Sequence, residues 1–265
     1  MVIGDPVGHS LGPQMYNEAY KSLGINGEYV YVGCNVKIDA LADFIKGIRA
    51  MGILGVSCTV PHKVAVMPYL DVVDDVAKQI GAVNTIVNDN GTLHGYNTDW
   101  LGVVTPLEKL ISIQNKNVAL LGAGGAARAA AYGITKLGGN LTIFNRTADK
   151  AQMLAKEFGA DSASFEALEK VHDMDIIFNA TTVGLHPNTS ETPLPKEYIA
   201  RHHIIFDAVY VPYQTRLLSE AEEKGATVIH GTEMLLYQGM EQFKLYTGYD
   251  APEDILRNVL MKHAN

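Results

Sequence analysis

Cysteine is scarce in this sequence of 265 residues: only Cys34 and Cys58 occur, and both lie inside apolar stretches. Neither belongs to a CxxC or Cys/His pattern, which argues against a disulfide framework and against a structural zinc site. We therefore predict that the protein binds no metal and works in a reducing compartment.

Runs of basic residues and long apolar runs are also missing. The chain has 21 Lys and Arg against 29 Asp and Glu, a formal net charge of −8, so broad binding to nucleic acid or to an anionic membrane is not expected. No apolar run approaches the roughly 20 residues that span a bilayer, and the N-terminus has no signal-peptide pattern. These absences predict a cytoplasmic protein whose partners are neither nucleic acid nor membrane.

Hydrophobic residues, by contrast, are abundant: they make up 47% of the chain, which is enough to form packed cores. The hydrophobic periodicity of the first hundred residues predicts strands at about 2–4, 28–34 and 53–58, separated by helices at about 13–23 and 39–51. This β-α-β-α-β order implies parallel strands. Asn90-Gly91, between the apolar runs Val83–Val87 and Leu93–Tyr96, predicts a hairpin that forms an antiparallel edge of the first sheet. The acidic segment Asp71–Asp75 predicts a helix start.

The second half repeats the alternation of strands and helices. Apolar runs at 117–121, 140–145, 175–179, 204–208 and 226–230 alternate with Ala- and Leu-rich helical segments, which is typical of a doubly wound parallel sheet. A connecting helix is predicted from Trp100 to Asn115, and the pattern after Thr232 is helical only. The sequence therefore predicts a two-domain α/β fold.

A glycine turn follows the first strand of this second half. Val118–Leu121 leads into Gly122-Ala123-Gly124-Gly125-Ala126-Ala127, which opens an Ala-rich helix. Glycines at the first and third positions permit a tight turn and a close approach of backbone to a pyrophosphate, which would face the helix N-terminus. Because strand, helix and next strand stand in the right order, we predict a dinucleotide site; the alternative is a turn used only for packing.

The residues after the next strand bear on the cofactor. An NAD site usually places Asp or Glu there, about 20 residues past the first glycine, whereas this chain has Asn145-Arg146-Thr147. Arg146 can pair with a ribose 2′-phosphate and stack on adenine, and Asn145 and Thr147 can donate hydrogen bonds. The sequence therefore predicts NADP. The alternative is a solvated Arg146 beside a Thr147 that caps the following helix.

Polar clusters follow several strands of the first half, at residues 8–13, 57–63, 81–85 and 95–99. In an open parallel sheet, ligands collect at the carboxyl ends of strands, so hydroxyls, amides, one Lys and one Asp can converge on a polyhydroxylated small molecule.

Together these motifs resemble the shikimate dehydrogenase family over nearly the whole chain, with at least six motifs in order. The resemblance implies a substrate-binding and catalytic α/β domain at 1–100 and a Rossmann-like NADP-binding domain at 101–235. Helices at 236–265 would pack on the first domain. It further implies reversible, NADP-dependent reduction of 3-dehydroshikimate to shikimate, in aromatic amino-acid (chorismate) biosynthesis, by a monomer or homodimer.

By position in the family's motifs, Lys63 and Asp99 match the catalytic pair. Oxidation of a secondary alcohol needs a base for the hydroxyl proton, and a neighbouring Asp can hold the Lys in place. The resemblance implies substrate contacts at Ser10, Gly12, Ser57, Thr59, Asn84, Tyr210 and Gln238, and cofactor contacts at Gly122, Ala123, Gly124, Gly125, Ala126, Asn145, Arg146, Thr147, Thr181 and Gly231. The nearby His9, His62 and His94 lack metal-ligand spacing and are interpreted as structural or rim residues.

The sequence departs from the family pattern at two substrate positions. The usual Ser-x-Ser carboxylate clamp is Ser10-Leu11-Gly12, so one hydroxyl is missing, and within the family Gly at the second position accompanies acceptance of quinate. Ser57 stands where many bacterial members have Asn. Two alternatives therefore stay open: a quinate/shikimate dehydrogenase and a non-catalytic Rossmann protein that senses a metabolite. Retention of both Lys63 and Asp99 weighs against the second.

Overall fold

A computed structural model of the chain describes residues 1–8 and 10–264. The prediction for His9 lies outside the described residues. The chain divides into two compact units, one formed by residues 1–98 with 238–263 and the other by residues 99–237 with Ala264. Each unit is built on its own six-stranded sheet.

The first unit contains, in chain order, β1 (Val2–Gly4), α1 (Gly12–Ser22), β2 (Gly33–Asn35), α2 (Leu41–Met51), β3 (Gly55–Cys58), α3 (His62–Ala65), β4 (Val72–Val73), α4 (Asp75–Ile80), β5 (Thr85–Asp89) and β6 (Thr92–Tyr96). Its strand order is β2-β1-β3-β5-β6-β4. The strands β2, β1 and β3 are parallel, as predicted, whereas β5 runs antiparallel to both β3 and β6.

Two details of this sheet differ from the sequence prediction. The β5–β6 hairpin is not the edge, because the two-residue strand β4 pairs in parallel with β6 outside it. This strand lies within the acidic segment, whose helix α4 begins only at Asp75 behind the cap residue Asp74, which accepts hydrogen bonds from Val76 and Ala77. β2 is also shorter than predicted, since both backbone groups of Tyr31 bind the side chain of Asn17 at 2.8 Å.

The second unit contains α5 (Asp99–Glu108), β7 (Asn117–Leu121), α6 (Gly125–Lys136), β8 (Asn140–Asn145), α7 (Ala148–Phe158), β9 (Asp161–Ser164), β10 (Ile176–Asn179), β11 (Ile204–Asp207), α8 (Arg216–Glu223) and β12 (Thr227–Ile229). The strands are all parallel in the order β12-β11-β10-β7-β8-β9. This is the doubly wound sheet that the sequence predicts, with β9 as an additional strand that has no apolar pattern.

Two helices, α9 (Gly231–Thr247) and α10 (Glu253–His263), end the chain. From Gln238 onward they belong to the first unit. Both sheets are packed on apolar cores, with Val56 and Ile86 buried in the first and Leu120 and Phe178 in the second. The predicted α/β class is confirmed. Within the described residues, no helix combines the length and the apolar character needed to cross a membrane.

Candidate functional site

The glycine turn of the second unit lies at the carboxyl end of β7, the central strand beside β8 and β10. Gly122 has φ = +109°, and a β-carbon there would lie 3.1 Å from Thr181 Cγ2, so only glycine fits without strain. Gly124 is different, because a β-carbon there would meet nothing within 4 Å. The turn therefore leaves open space directly before the N-terminus of α6.

That N-terminus has backbone N–H groups available for an anion. Its cap residue, Gly124, has no side chain that could accept a hydrogen bond from the first N–H groups of the helix. Open space, a glycine backbone and an uncapped helix of 12 residues together fit the diphosphate of a dinucleotide. Gly122 through Ala126 would hold it.

The segment Asn145-Arg146-Thr147 begins at the last residue of β8. It lies beside this turn, since Gly122 N–H donates to Phe144 O at 2.7 Å. Arg146 is exposed, and among the described residues it has no hydrogen bond or ion pair. Thr147 is at the cap position of α7 without making a side-chain cap, so the helix-cap interpretation of Thr147 has no support. An unpaired guanidinium with no carboxylate in its own segment fits a 2′-phosphate.

One buried carboxylate links the loops that follow β10 and β11. Asp207 accepts from Asn179 Nδ2 at 2.8 Å, from Val209 N–H at 3.0 Å and from Thr215 Oγ1 at 2.7 Å. Asn179 Oδ1 in turn accepts from Thr181 N–H and Oγ1, at 3.0 and 2.7 Å. Burial raises the pKa of Asp207 to about 6, although these donors oppose the shift. This network fixes Thr181 and both ends of the loop that carries Tyr210.

The remaining predicted residues of this unit have mixed roles. Tyr210 is half-buried, and burial raises its pKa to about 12, so its hydroxyl stays protonated at neutral pH. A β-carbon on Gly231 would lie 2.4 Å from Val209 O. Close packing of α9 on the loop after β11 therefore explains this glycine without a ligand.

In the first unit, a buried array of amides and hydroxyls centres on Asn84. Asn84 Nδ2 donates to Thr98 Oγ1 at 3.0 Å and to Gln238 Oε1 at 3.4 Å, and Asn84 Oδ1 accepts from Thr98 N–H at 2.8 Å. Thr98 directly precedes Asp99, a buried residue that opens α5. The array therefore brings together Asn84 and Gln238, two of the predicted substrate contacts.

Lys63 lies on the short helix α3, immediately after β3. Its carbonyl accepts from Val83 N–H at 2.8 Å, so its backbone is adjacent to the residue before Asn84. The preceding His62 is fully buried and its Nε2 lies 2.7 Å from Val36 O, which agrees with the structural interpretation. The half-buried Thr59 lies on the turn before α3 and accepts from His62 N–H at 2.8 Å through its carbonyl.

Ser10 lies two residues before α1, which begins at Gly12, and Ser10 Oγ accepts from Gly12 N–H at 3.3 Å. Ser57 is placed differently. Its hydroxyl donates to Gln242 Oε1 at 2.7 Å and lies 2.5 and 2.9 Å from the hydroxyls of Tyr31 and Tyr246. A serine hydroxyl has one donor and two acceptor positions, so these three partners saturate it and favour an indirect role over substrate contact.

Gln242 is the residue that the sequence interpretation missed. It is buried, accepts from Tyr16 Oη at 2.9 Å as well as from Ser57, and donates to Thr85 Oγ1 at 2.9 Å. Thr85 Oγ1 donates to Asn84 Oδ1 at 2.7 Å, so Gln242 supports the substrate array from behind. Its spacing of four residues from Gln238 on a predicted helix was the available signal.

Metal-ligating groups do not cluster: in the part of the chain that the structure describes, no three His, Cys, Asp or Glu residues are placed to hold a metal ion.

Family models match along the chain in three segments. They are the shikimate dehydrogenase substrate binding domain at residues 2–86, shikimate / quinate 5-dehydrogenase at 106–192 and the shikimate 5′-dehydrogenase C-terminal domain at 231–261. A shikimate dehydrogenase (NADP(+)) of Methanothermobacter thermautotrophicus is 42% identical over 274 aligned positions, which cover 100% of this chain and 96% of the relative. The chain belongs to the shikimate dehydrogenase family.

Solved structures of the shikimate dehydrogenase family agree with this assignment. A crystal structure of a shikimate dehydrogenase in complex with NADP+ matches with a TM-score of 0.94 and 39% identity, covering 100% of this chain and 94% of that one. The Thermus thermophilus enzyme, in complex with NADP(H) and shikimate, matches with a TM-score of 0.92 and 37% identity, covering 99% of this chain and 98% of that one. The resemblance that the motifs indicated is therefore confirmed.

Proposed function

We propose that the protein is an NADP-dependent shikimate dehydrogenase, which interconverts 3-dehydroshikimate and shikimate in aromatic amino-acid biosynthesis. The observation that carries the proposal is the pairing of two features in one chain. The glycine turn ends in open space beside Arg146, which has no hydrogen bond or ion pair within residues 1–8 and 10–264, and the buried Asn84 array adjoins Lys63. Relatives of the same length and architecture have this activity in their names.

The substrate is a cyclohexene carboxylate with several hydroxyls, and the first unit offers matching groups. Ser10 Oγ would bind the carboxylate, and Thr59 and Gln238 would bind ring hydroxyls. Asn84 Nδ2 would bind a ring hydroxyl in place of its longest hydrogen bond, the 3.4 Å bond to Gln238 Oε1. Because Asn84 is already oriented by its hydrogen bonds to Thr98, little conformational entropy is lost when substrate binds.

The chemistry requires proton transfer together with hydride transfer. When bound, NADP+ supplies the hydride acceptor for shikimate oxidation. Lys63 in its neutral form would take the proton of the reacting hydroxyl, and as an ammonium it would return that proton to the carbonyl in the reverse direction. Asp99 is the second residue of the proposed catalytic pair. Neither role involves a metal ion.

The direct test follows the formation of NADPH from shikimate and NADP+ by the wild-type protein and by Lys63→Ala. General acid–base groups contribute about 10²–10⁴-fold, so kcat should fall by that factor while the KM for shikimate changes little. Lys78→Ala, which removes an exposed lysine paired with Asp75, is the matched control and should turn over normally. Turnover by Lys63→Ala at the wild-type rate would contradict the assignment, and no turnover by the wild type would favour a metabolite sensor.

The predictions of a cytoplasmic location and of a monomer or homodimer stay predictions. They rest on the acidic, cysteine-poor composition and on the family.

A further inference from the structure

The space beside Gly12 is occupied by the ring of Tyr31. A β-carbon on Gly12 would lie 3.1 Å from Tyr31 Cε1 and 3.4 Å from Ser10 Oγ. The backbone of Gly12 does not have the positive φ that favours glycine. A side chain at position 12 would therefore press on the ring and displace it by a few tenths of an ångström. This contact gives the missing second hydroxyl of the carboxylate clamp a physical reason.

Hydrogen bonds and ring packing fix the position of Tyr31. Its hydroxyl donates to Ser57 Oγ at 2.5 Å, and its backbone N–H and carbonyl both bind the side chain of Asn17. Its ring packs edge-on against Tyr16, with the centroids 4.5 Å apart. Ser57 is itself anchored by Gln242, so the ring position is set by a network that extends into α9.

The ring and the Ser10 hydroxyl thus border the same point in the first unit. A ligand carboxylate bound at Ser10 has the Tyr31 ring edge as its neighbour on the Gly12 side. A planar carbon next to that carboxylate needs no additional room. A tetrahedral carbon that carries a further hydroxyl does need room, and the space that glycine would otherwise leave is filled.

We propose that Tyr31 is a specificity-determining residue, whose ring selects substrates with a planar carboxylate-bearing carbon, such as shikimate, over those with a hydroxyl on that carbon, such as quinate. The proposal rests on the proposed function, in which Ser10 binds the substrate carboxylate. On this proposal, glycine stands at position 12 because the Tyr31 ring occupies the adjacent space, and Gly12 does not open the site to quinate.

The test measures kcat/KM for shikimate and for quinate, each with NADP+, in the wild type, Tyr31→Leu and Tyr31→Phe. Pocket shape discriminates between such substrates by about 10–200-fold, so Tyr31→Leu should raise the quinate-to-shikimate ratio by about tenfold or more. Tyr31→Phe keeps the ring and loses only the hydrogen bond to Ser57, so its ratio should stay within about threefold of the wild type. An equal rise in both variants, or no rise in Tyr31→Leu while it still oxidises shikimate, would overturn the proposal.

A double-mutant comparison tests the contact between position 12 and the Tyr31 ring. Gly12→Ser forces a side chain against the ring and should lower kcat/KM for shikimate, whereas in the Tyr31→Leu background the same change should be neutral or beneficial. Equal effects in both backgrounds would show that the two positions are not coupled.

Should Tyr31→Leu fail to fold, the wild type alone still decides, because a quinate kcat/KM within about tenfold of that for shikimate contradicts selection by the ring. Absence of all shikimate turnover in the wild type is a different result, which overturns the proposed function.

Discussion

The buried carboxyl of Asp207 makes the stability of the folded protein depend on pH. The carboxyl is fully buried, and burial raises its pKa from the ordinary 3.8 to about 6. Between these two values the folded protein keeps a proton that the unfolded chain has released. The free energy of unfolding therefore falls as pH rises from about 4 to about 6. A shift of two pKa units corresponds to about 3 kcal/mol, because one unit is about 1.4 kcal/mol.

Asp207→Asn isolates this contribution because asparagine is neutral throughout. Denaturant unfolding of both proteins from pH 4 to pH 8 should show that the free energy of unfolding of the wild type, minus that of Asp207→Asn, decreases by about 2.5 kcal/mol and levels off above pH 7. The decrease is smaller than the full value of about 3 kcal/mol because part of the change lies below pH 4. Burial lowers the pKa values of His203 and His230. Their contributions to the free energy of unfolding therefore rise with pH, and they cancel in the difference because both proteins have them. A difference that stays constant, or that increases with pH, would contradict a raised pKa of Asp207.

Three further variants test the nucleotide site. Arg146→Ala should raise the KM for NADP+ by about tenfold or more and leave that for NAD+ nearly unchanged, because a charge-assisted hydrogen bond contributes about 1.5–3 kcal/mol; equal effects on both cofactors in initial-rate assays would remove the 2′-phosphate role. Gly122→Ala forces a side chain onto φ = +109° and into contact with Thr181, so thermal unfolding should show a loss of about 1–3 kcal/mol. Gly124→Ala adds a methyl to open space and should leave stability unchanged within about 0.5 kcal/mol while weakening NADP+ binding measured by titration; normal binding would contradict the position of the diphosphate.

Much of the fold is predictable because buried parallel strands are continuous apolar runs. β7, β8 and β10 begin and end within a residue of their predicted bounds. β9 was missed because Asp161–Ser164 is a polar edge strand with no period to detect. The short β4 was missed because two valines within an acidic segment give too little pattern.

In the candidate site, too, local features are predictable from sequence and long-range contacts are not. The glycine turn and the Asn145-Arg146-Thr147 segment are local features, so sequence spacing alone predicts them. Gln242 and Ser57 are 185 positions apart, and nothing local indicates that they share a hydrogen bond. The saturation of the Ser57 hydroxyl depends on tertiary packing, as does the Tyr31 ring beside Gly12. Such contacts join distant parts of the chain and leave no periodic signal.

The most direct test of the account measures initial rates with shikimate and with quinate, each with NADP+ and with NAD+. We expect shikimate with NADP+ to give a kcat/KM at least about tenfold above every other combination, because the Tyr31 ring would select against quinate and Arg146 would select the 2′-phosphate. Comparable rates with quinate, or a preference for NAD+, would contradict it.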